Sequence, residues 1–253
     1  MMNPAEFTTL AQSENDLWWF RGMKRILFDL LDPLSVGKSA LVMEAGSGTG
    51  YMAGVLRDRY QWRMFPTELA WEGVSLTPVR EGISPVQADI GACPFSADTF
   101  DALLSLDVLV HFPRGEESRA IGEFARILKP GGHLLLRVSA LDLLRSRHSE
   151  FCHERQRFTR RRLIDAVRDC GFQVLRCTYA NSFLMPVALA RFRIWEPLTR
   201  APFASGTSPV SPWLNRLLCL PLWLESALIS RGWNLPVGQS LILLAVKRQP
   251  EKQ

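Results

Sequence analysis

The sequence predicts an α/β protein built on a doubly wound, mostly parallel sheet of seven strands. Three observations carry this expectation. Apolar runs of strand length alternate with segments of helical periodicity. The first run, "ALVMEA" (40–45), passes directly into a glycine turn and then a helical segment. At 253 residues and 47% hydrophobic content, the chain is long enough to bury a full core. Strands joined through helices pair in parallel, and their crossovers cover both faces of the sheet.

The elements follow in chain order. Residues 14–32, "ENDLWWFRGMKRILFDLLD", read as a helix with Ile26, Leu27, Leu30 and Leu31 on one face, ended by Asp32-Pro33. After the first strand, residues 49–60 read as a helix. The second strand is "QWRMFPTEL" (61–69), in which Pro66 is awkward because it cannot donate to a ladder. Third and fourth strands are read at 84–90 and 101–110. A helix over 116–128 stops at "KPGG", and "HLLLRVSA" (133–140) is the fifth strand. "TRRRLIDAVRDC" (159–170) is a helix with Thr159 as N-cap and Gly171 as its stop. Residues 172–180 and 239–248 are the sixth and seventh strands. Between them, 181–238 are rich in Pro, Leu and Trp, too long for a connection and too apolar for a linker. The expected organisation is a helical segment (1–39), a core (40–180 with 239–253) and a helical cap (181–238).

Composition narrows the function classes. No run of 18 apolar residues suggests a spanning helix, and the N-terminus lacks the basic and apolar regions of a secretory signal. Five cysteines without a CxxC pair suit free thiols in a reducing cytosol and argue against a metal site. The net charge is +5. Residues 137–168 hold nine Arg against four acids, an excess as large as that of the whole chain. Such a segment suits a solvated basic face or an anionic partner.

The glycine turn "EAGSGTG" (44–50) is a nucleotide-type site, since a strand ending in glycines at a helix N-terminus lets a ligand approach the backbone. A dinucleotide frame, Gly48-x-Gly50-x-x-Ala53, is also legible. The acids around the turn favour another ligand. Glu44 would repel a pyrophosphate but face a cationic group. Glu68, at the end of the second strand, can accept both hydroxyls of a ribose. Asp89, at the end of the third, can reach an adenine amino group. Three carboxylates at successive strand ends suit a cationic nucleoside without phosphates, such as S-adenosylmethionine.

On these residues the chain resembles the class I S-adenosylmethionine-dependent methyltransferases of the small-molecule branch. "VMEAGSGTG" resembles their first motif, residues 86–112 their third and fourth, and "EFARILKPGGHLLLRV" (123–138) the turn into the fifth strand. The opening "WWFRGMKRIL" (18–27) resembles a segment of bacterial members. The resemblance implies a Rossmann-like sheet of order 3-2-1-4-5-7-6 with the last strand antiparallel. It implies that Gly46, Ser47, Gly48 and Gly50 line the methionine portion of the cofactor and that Glu44 supports its amino end. It further implies Glu68 on the ribose, Leu69 beside the adenine, Asp89 with Ile90 at the adenine edge, and Leu106 near the methionine.

Methyl transfer needs alignment of the reacting atoms and exclusion of water, and a base only where the acceptor holds its proton. His111, after the fourth strand on the cleft side, is the base candidate. His148 and His153 lie in a charged loop, and Trp18, Trp19 and Phe20 can close over the cofactor. Arg160, Arg161 and Arg162 oppose the helix dipole at about 0.3–1 kcal/mol each, which hints at an anionic partner. In the cap, Leu217, Leu220, Leu224 and Leu228 fall near one face, as in a pocket cover or core packing first, then a membrane-surface helix or a dimer contact.

The expected function is methyl transfer to a small-molecule or lipid- or sugar-linked acceptor, with oxygen first. No nucleic-acid partner is expected, because no Asn/Asp-Pro-Pro-Tyr/Phe motif for a flipped base occurs. The expected location is cytoplasmic, with peripheral membrane contact through 183–229 at the inner face. A non-catalytic cofactor-binding partner protein and a nicotinamide-dependent oxidoreductase are the alternatives.

Overall fold

A computed structural model describes residues 4–199 and 210–249. Seven strands form one sheet: β1 (Leu41–Ala45), β2 (Arg63–Glu68), β3 (Val86–Gln87), β4 (Phe100–Leu106), β5 (Leu128–Ser139), β6 (Phe172–Ala180) and β7 (Ser240–Lys247). Their order is β3-β2-β1-β4-β5-β7-β6, and β7 runs antiparallel between β5 and β6. Around the sheet lie α1 (Pro4–Ser13), α2 (Trp18–Leu31), α3 (Tyr51–Tyr60), α4 (Trp71–Leu76), α5 (Glu117–Ile127), α6 (Arg147–Phe151) and α7 (Arg160–Asp169). Val42, Met43, Leu103, Leu104, Leu134, Leu136, Leu241 and Leu243 are all fully buried. Neighbours in a strand point to opposite faces, so unbroken burial means that helices cover both.

The structure differs from the sequence expectation in informative places. The helix expected over 14–32 begins only at Trp18, and a separate helix, α1, precedes it across the turn Glu14–Leu17. The third strand shrinks to Val86–Gln87, an edge that pairs only with Thr67 and Glu68. The fourth strand stops at Leu106, because Asp107 takes a positive φ of 61° and a single 3-10 turn, Leu109–His111, follows. Pro66 is tolerated because Met64 N donates outward to Gly82 O, so the proline's missing N–H faces the same, interrupted edge. The triple arginine is also accounted for internally. Thr159 accepts from Arg162 N, while the Arg162 guanidinium donates to the buried Glu117 and to Gln156. Arg161 lies beside Asp165. At Arg162 the local conflict therefore marks a structural ion pair rather than an external anion.

The segment between β6 and β7 forms α8 (Met185–Ala190), a π-turn (Arg191–Trp195), α9 (Glu196–Thr199) and α10 (Pro212–Ser230). Of the cap expected over 181–238, residues 200–209 lie outside the described residues. α10 lies parallel along α2. Leu222 packs where Gly22 leaves room, Ser226 donates to Asp29, and Asn215 Oδ1 accepts from Trp18 N at 2.7 Å. Fully buried Glu225 accepts from the backbone N–H groups of Ser182 and Phe183 at 2.7 and 2.8 Å, which ties the start of the segment to α10. Leu217, Leu220 and Leu224 are exposed, and only Leu228 of the expected face packs against the core.

Candidate functional site

The glycine turn lies at the carboxyl end of β1, with β2 and β4 alongside. Gly46, Gly48 and Gly50 have φ of 74°, 57° and 72°. The three are not equivalent. A Cβ on Gly46 would strike Val108 at 2.2 Å, and one on Gly50 would strike Thr77 at 2.5 Å. A Cβ on Gly48 would meet nothing within 4 Å. Gly46 and Gly50 are required by packing as well as by backbone conformation, whereas Gly48 opens onto free space. The turn is held by Gly46 N and Ser47 N donating to Thr67 O, and by Gly50 N donating to Ser47 O at 2.9 Å.

The carboxylates gather around this turn. Glu44 is buried, and its Oε2 has no hydrogen-bond partner. Glu68 accepts from Gly48 N at 3.0 Å through Oε2 and from Leu69 N and Ala70 N through Oε1. It braces the turn from the end of β2. The Ser47 hydroxyl is buried and unpartnered. Asp89 is engaged otherwise than expected, since one oxygen accepts from Gly91 N and the other pairs with Arg119 at 2.7 Å. Ile90 is buried, Leu69 is exposed, and Leu106 ends β4 opposite Arg137 of β5.

Electrostatics distinguish this place from the rest of the molecule. Burial raises Glu44 to about 8, and the nearby charges of Glu14 and Glu68 push the same way. Burial raises Glu14 to about 7, against a hydrogen bond from Thr49 and the charge of Lys24. A cationic ligand relieves both. Its sulfonium and ammonium charges favour the ionised carboxylates, and an ammonium can satisfy the orphan oxygen of Glu44. The residues present thus fit S-adenosylmethionine. The fit is poor for a pyrophosphate, which would add negative charge beside three acids.

A titration follows from this. Cofactor binding between pH 7 and 8 is expected to release protons, so calorimetric heats should differ between buffers of different ionisation enthalpy, and differ less for Glu44→Gln. Identical heats in all buffers would refute it. In the free protein the sign is opposite to the usual carboxylate. Folded Glu44 keeps a proton that the unfolded chain loses above its ordinary value of 4.5, so its contribution to stability declines as pH rises toward 8. Glu44→Gln should raise the melting temperature at pH 8.5 and leave it nearly unchanged at pH 5.

Two contacts here join residues that no sequence motif links. Glu14, in the turn between α1 and α2, accepts from the Thr49 hydroxyl at 2.5 Å. Phe7 of α1 is buried, and a Cβ on Gly73 would meet it at 2.7 Å. The N-terminal segment therefore closes over the glycine turn. Beyond it, Arg137 pairs with Asp107 at 2.7 Å and stacks over Trp19 at 4.8 Å. This places Trp19 near the end of β4 and leaves Trp18 against α10. Neither contact has a local signal, because each joins elements far apart in sequence.

His111 ends the 3-10 turn. Its Nδ1 lies 3.3 Å from the carbonyl of His153, which can only accept, so Nδ1 carries the proton and Nε2 is left as the basic nitrogen. Burial lowers its pKa, which keeps the ring neutral. His148 lies beside Cys152 rather than near the glycine turn. Among the described residues no cluster of His, Cys, Asp and Glu is arranged to hold a metal.

The sheet order, the glycine turn and its acids are similar to those of class I S-adenosylmethionine-dependent methyltransferase domains. Residues 43–136 match the family model described as "Methyltransferase domain". The chain is similar to the mouse (Mus musculus) tRNA (carboxymethyluridine(34)-5-O)-methyltransferase ALKBH8, 30% identical over 104 residues, which are 41% of this chain and 15% of that protein. It spans 11–15% of the length of the curated relatives it matches. In fold it is similar to a chain of the structure described as "Complex between the Haloferax volcanii Trm112 methyltransferase activator and the putative methyltransferase", with a TM-score of 0.64 and 20% identity over 99% of this chain and 96% of that one. It is likewise similar to Haemonchus contortus phosphoethanolamine N-methyltransferase 2 in complex with S-adenosyl-L-methionine, with a TM-score of 0.62 and 16% identity over 98% of this chain and 58% of that one.

Proposed function

We propose that the chain transfers a methyl group from S-adenosylmethionine to a small-molecule or lipid- or sugar-linked acceptor, with oxygen as the first choice of acceptor atom. The observation that carries the cofactor half is the buried, unpartnered Glu44 oxygen beside the open backbone at Gly48. The cofactor supplies an electrophilic methyl group, and the chain supplies the surroundings. Glu44 and Ser47 offer polar atoms to its amino-acid end, Glu68 to its ribose, and Leu69 and Ile90 flank the adenine. With Asp89 engaged by Arg119, adenine recognition falls more to the backbone near Ile90 than to that carboxylate. Trp19, Arg137 and Asp107 border the acceptor side, and Glu14 with α1 excludes water from the turn. His111, neutral and with Nε2 unprotonated, is the base for an acceptor that holds its proton.

For the acceptor, the supporting observation is the state of the basic segment. Arg137, Arg157, Arg161 and Arg162 are paired with Asp107, Glu154, Asp165 and Glu117. Only Asp107 and Glu117 come from outside the basic segment, so these pairs lower its excess from five to three and leave a weaker nucleic-acid track. A tRNA acceptor is the second reading, favoured by the relative named above.

The test is transfer of radiolabelled methyl from S-adenosylmethionine into separated fractions of a bacterial extract. Label is expected in the organic or small-metabolite fraction. Label in bulk tRNA would move the acceptor to nucleic acid. Cofactor binding without label in any fraction would make the chain a non-catalytic binding partner.

A further inference from the structure

The segment between β6 and β7 carries exposed apolar side chains on two stretches, the α8–α9 arm and α10. From α8 through α9 no side chain is buried. Ile194, Trp195 and Leu198 there, and Trp213, Leu217 and Leu220 on α10, are each between 53 and 75% exposed. Single exposed apolar residues need no explanation, but large ones gathered on one insertion do. The charge pattern is equally one-sided. Residues 183–231 contain five Arg, no Lys and only two acids. Both acids are engaged internally: Glu225 is fully buried, and Glu196 accepts from Arg147 N at 3.1 Å. Arg191 and Arg216 stand exposed on the same elements, and Arg193 and Arg231, also exposed, donate to the backbone carbonyls of Leu143 and Ala227.

Apolar side chains, tryptophan and arginine without exposed acid match the boundary between acyl chains and anionic headgroups. Arginine stems can follow apolar surface while their guanidinium groups reach phosphates. No helix among the described residues is long and apolar enough to cross a membrane. The surface is also placed usefully. Arg193 donates to Leu143 O at 2.8 Å, and Glu196 holds the N-terminus of α6, so the arm is fixed to the loops that follow β5 at the carboxyl end of the sheet. Acceptors enter α/β sheets at that end.

We propose that this insertion docks the protein on an anionic lipid surface, with the α8–α9 arm and the exposed face of α10 in the headgroup boundary and the arginines at phosphate level. This goes beyond the transfer reaction and gives a lipid-linked acceptor a route to the site.

The experiment is co-sedimentation of the full chain with vesicles of phosphatidylcholine alone and of phosphatidylcholine with phosphatidylglycerol, at low and high salt. Binding is expected on the anionic vesicles, weaker on the neutral ones and weaker in high salt. Trp195→Ser with Leu198→Ser, and separately Leu217→Ser with Leu220→Ser, should each lower partition at least about tenfold, because two large apolar groups leave the boundary. These side chains are exposed, and unchanged binding of S-adenosylmethionine would show that the variants are folded. Absence of binding to anionic vesicles, or binding that both double variants retain, would overturn the proposal. So would finding that the same substitutions abolish tRNA binding or self-association instead. Failure here with cofactor binding and methyl transfer intact rejects only the lipid surface. Vesicle binding without transfer rejects only the reaction.

Discussion

Replacing Gly48 by valine is expected to abolish S-adenosylmethionine binding while the protein stays folded. Nothing lies within 4 Å of the position a Cβ would occupy, so the side chain enters open space at its first atom. It costs the strain of a β-branched residue at a φ of 57°, about 1–2 kcal/mol. The larger loss is to the ligand, because the new side chain stands where the cofactor meets the backbone. An affinity loss of at least about 100-fold by calorimetric titration corresponds to about 2.8 kcal/mol. Gly46→Ala is the contrasting variant. Its methyl group meets Val108, so it should lower the melting temperature first. Unchanged affinity in Gly48→Val would remove the cofactor from this turn.

The second large effect concerns stability. Gly22→Leu should destabilise the protein by about 2–3 kcal/mol through overpacking. A Cβ at residue 22 would lie 2.2 Å from Leu222 Cδ1 and 2.5 Å from its Cβ, so α2 and α10 must separate. Helix propensity predicts the opposite, because glycine inside a helix costs about 0.8–1 kcal/mol. The sign of the change therefore decides whether close helix contact or local propensity controls this position. For a chain of this size the melting temperature should fall by about 5–10 °C. An unchanged or raised melting temperature would show that α10 does not pack against α2 as described.

The comparison of sequence with structure turns on the range of the interactions concerned. The strands were legible because a buried parallel strand must be apolar on both faces, which leaves a continuous run such as "ALVMEA" in the sequence. The glycine turn was legible because positive φ demands glycine locally, and Glu44 and Glu68 because their sequence separation places them at adjacent strand ends. Asp89 was legible as a strand-end acid, but its capture by Arg119, 30 residues away, was not.

Sequence by itself therefore determined the fold class and the place of the glycine turn with Glu44 and Glu68 beside it, since these rest on backbone conformation and strand periodicity within short windows. Only tertiary structure decided three further points. It separated Gly48, open to ligand, from Gly46 and Gly50, closed by Val108 and Thr77. It set Glu14 against Thr49 of the glycine turn and, of the aromatic residues the sequence offered, Trp19 against Arg137. It also packed α10 against α2 rather than over the cleft, leaving Leu217, Leu220 and Leu224 outside. The physical reason is common to all three. An amphipathic pattern states that a face must be covered, but the covering element is chosen by shape and by buried hydrogen bonds, such as Asn215 to Trp18 and Glu225 to Ser182, between residues about 40 to 200 positions apart.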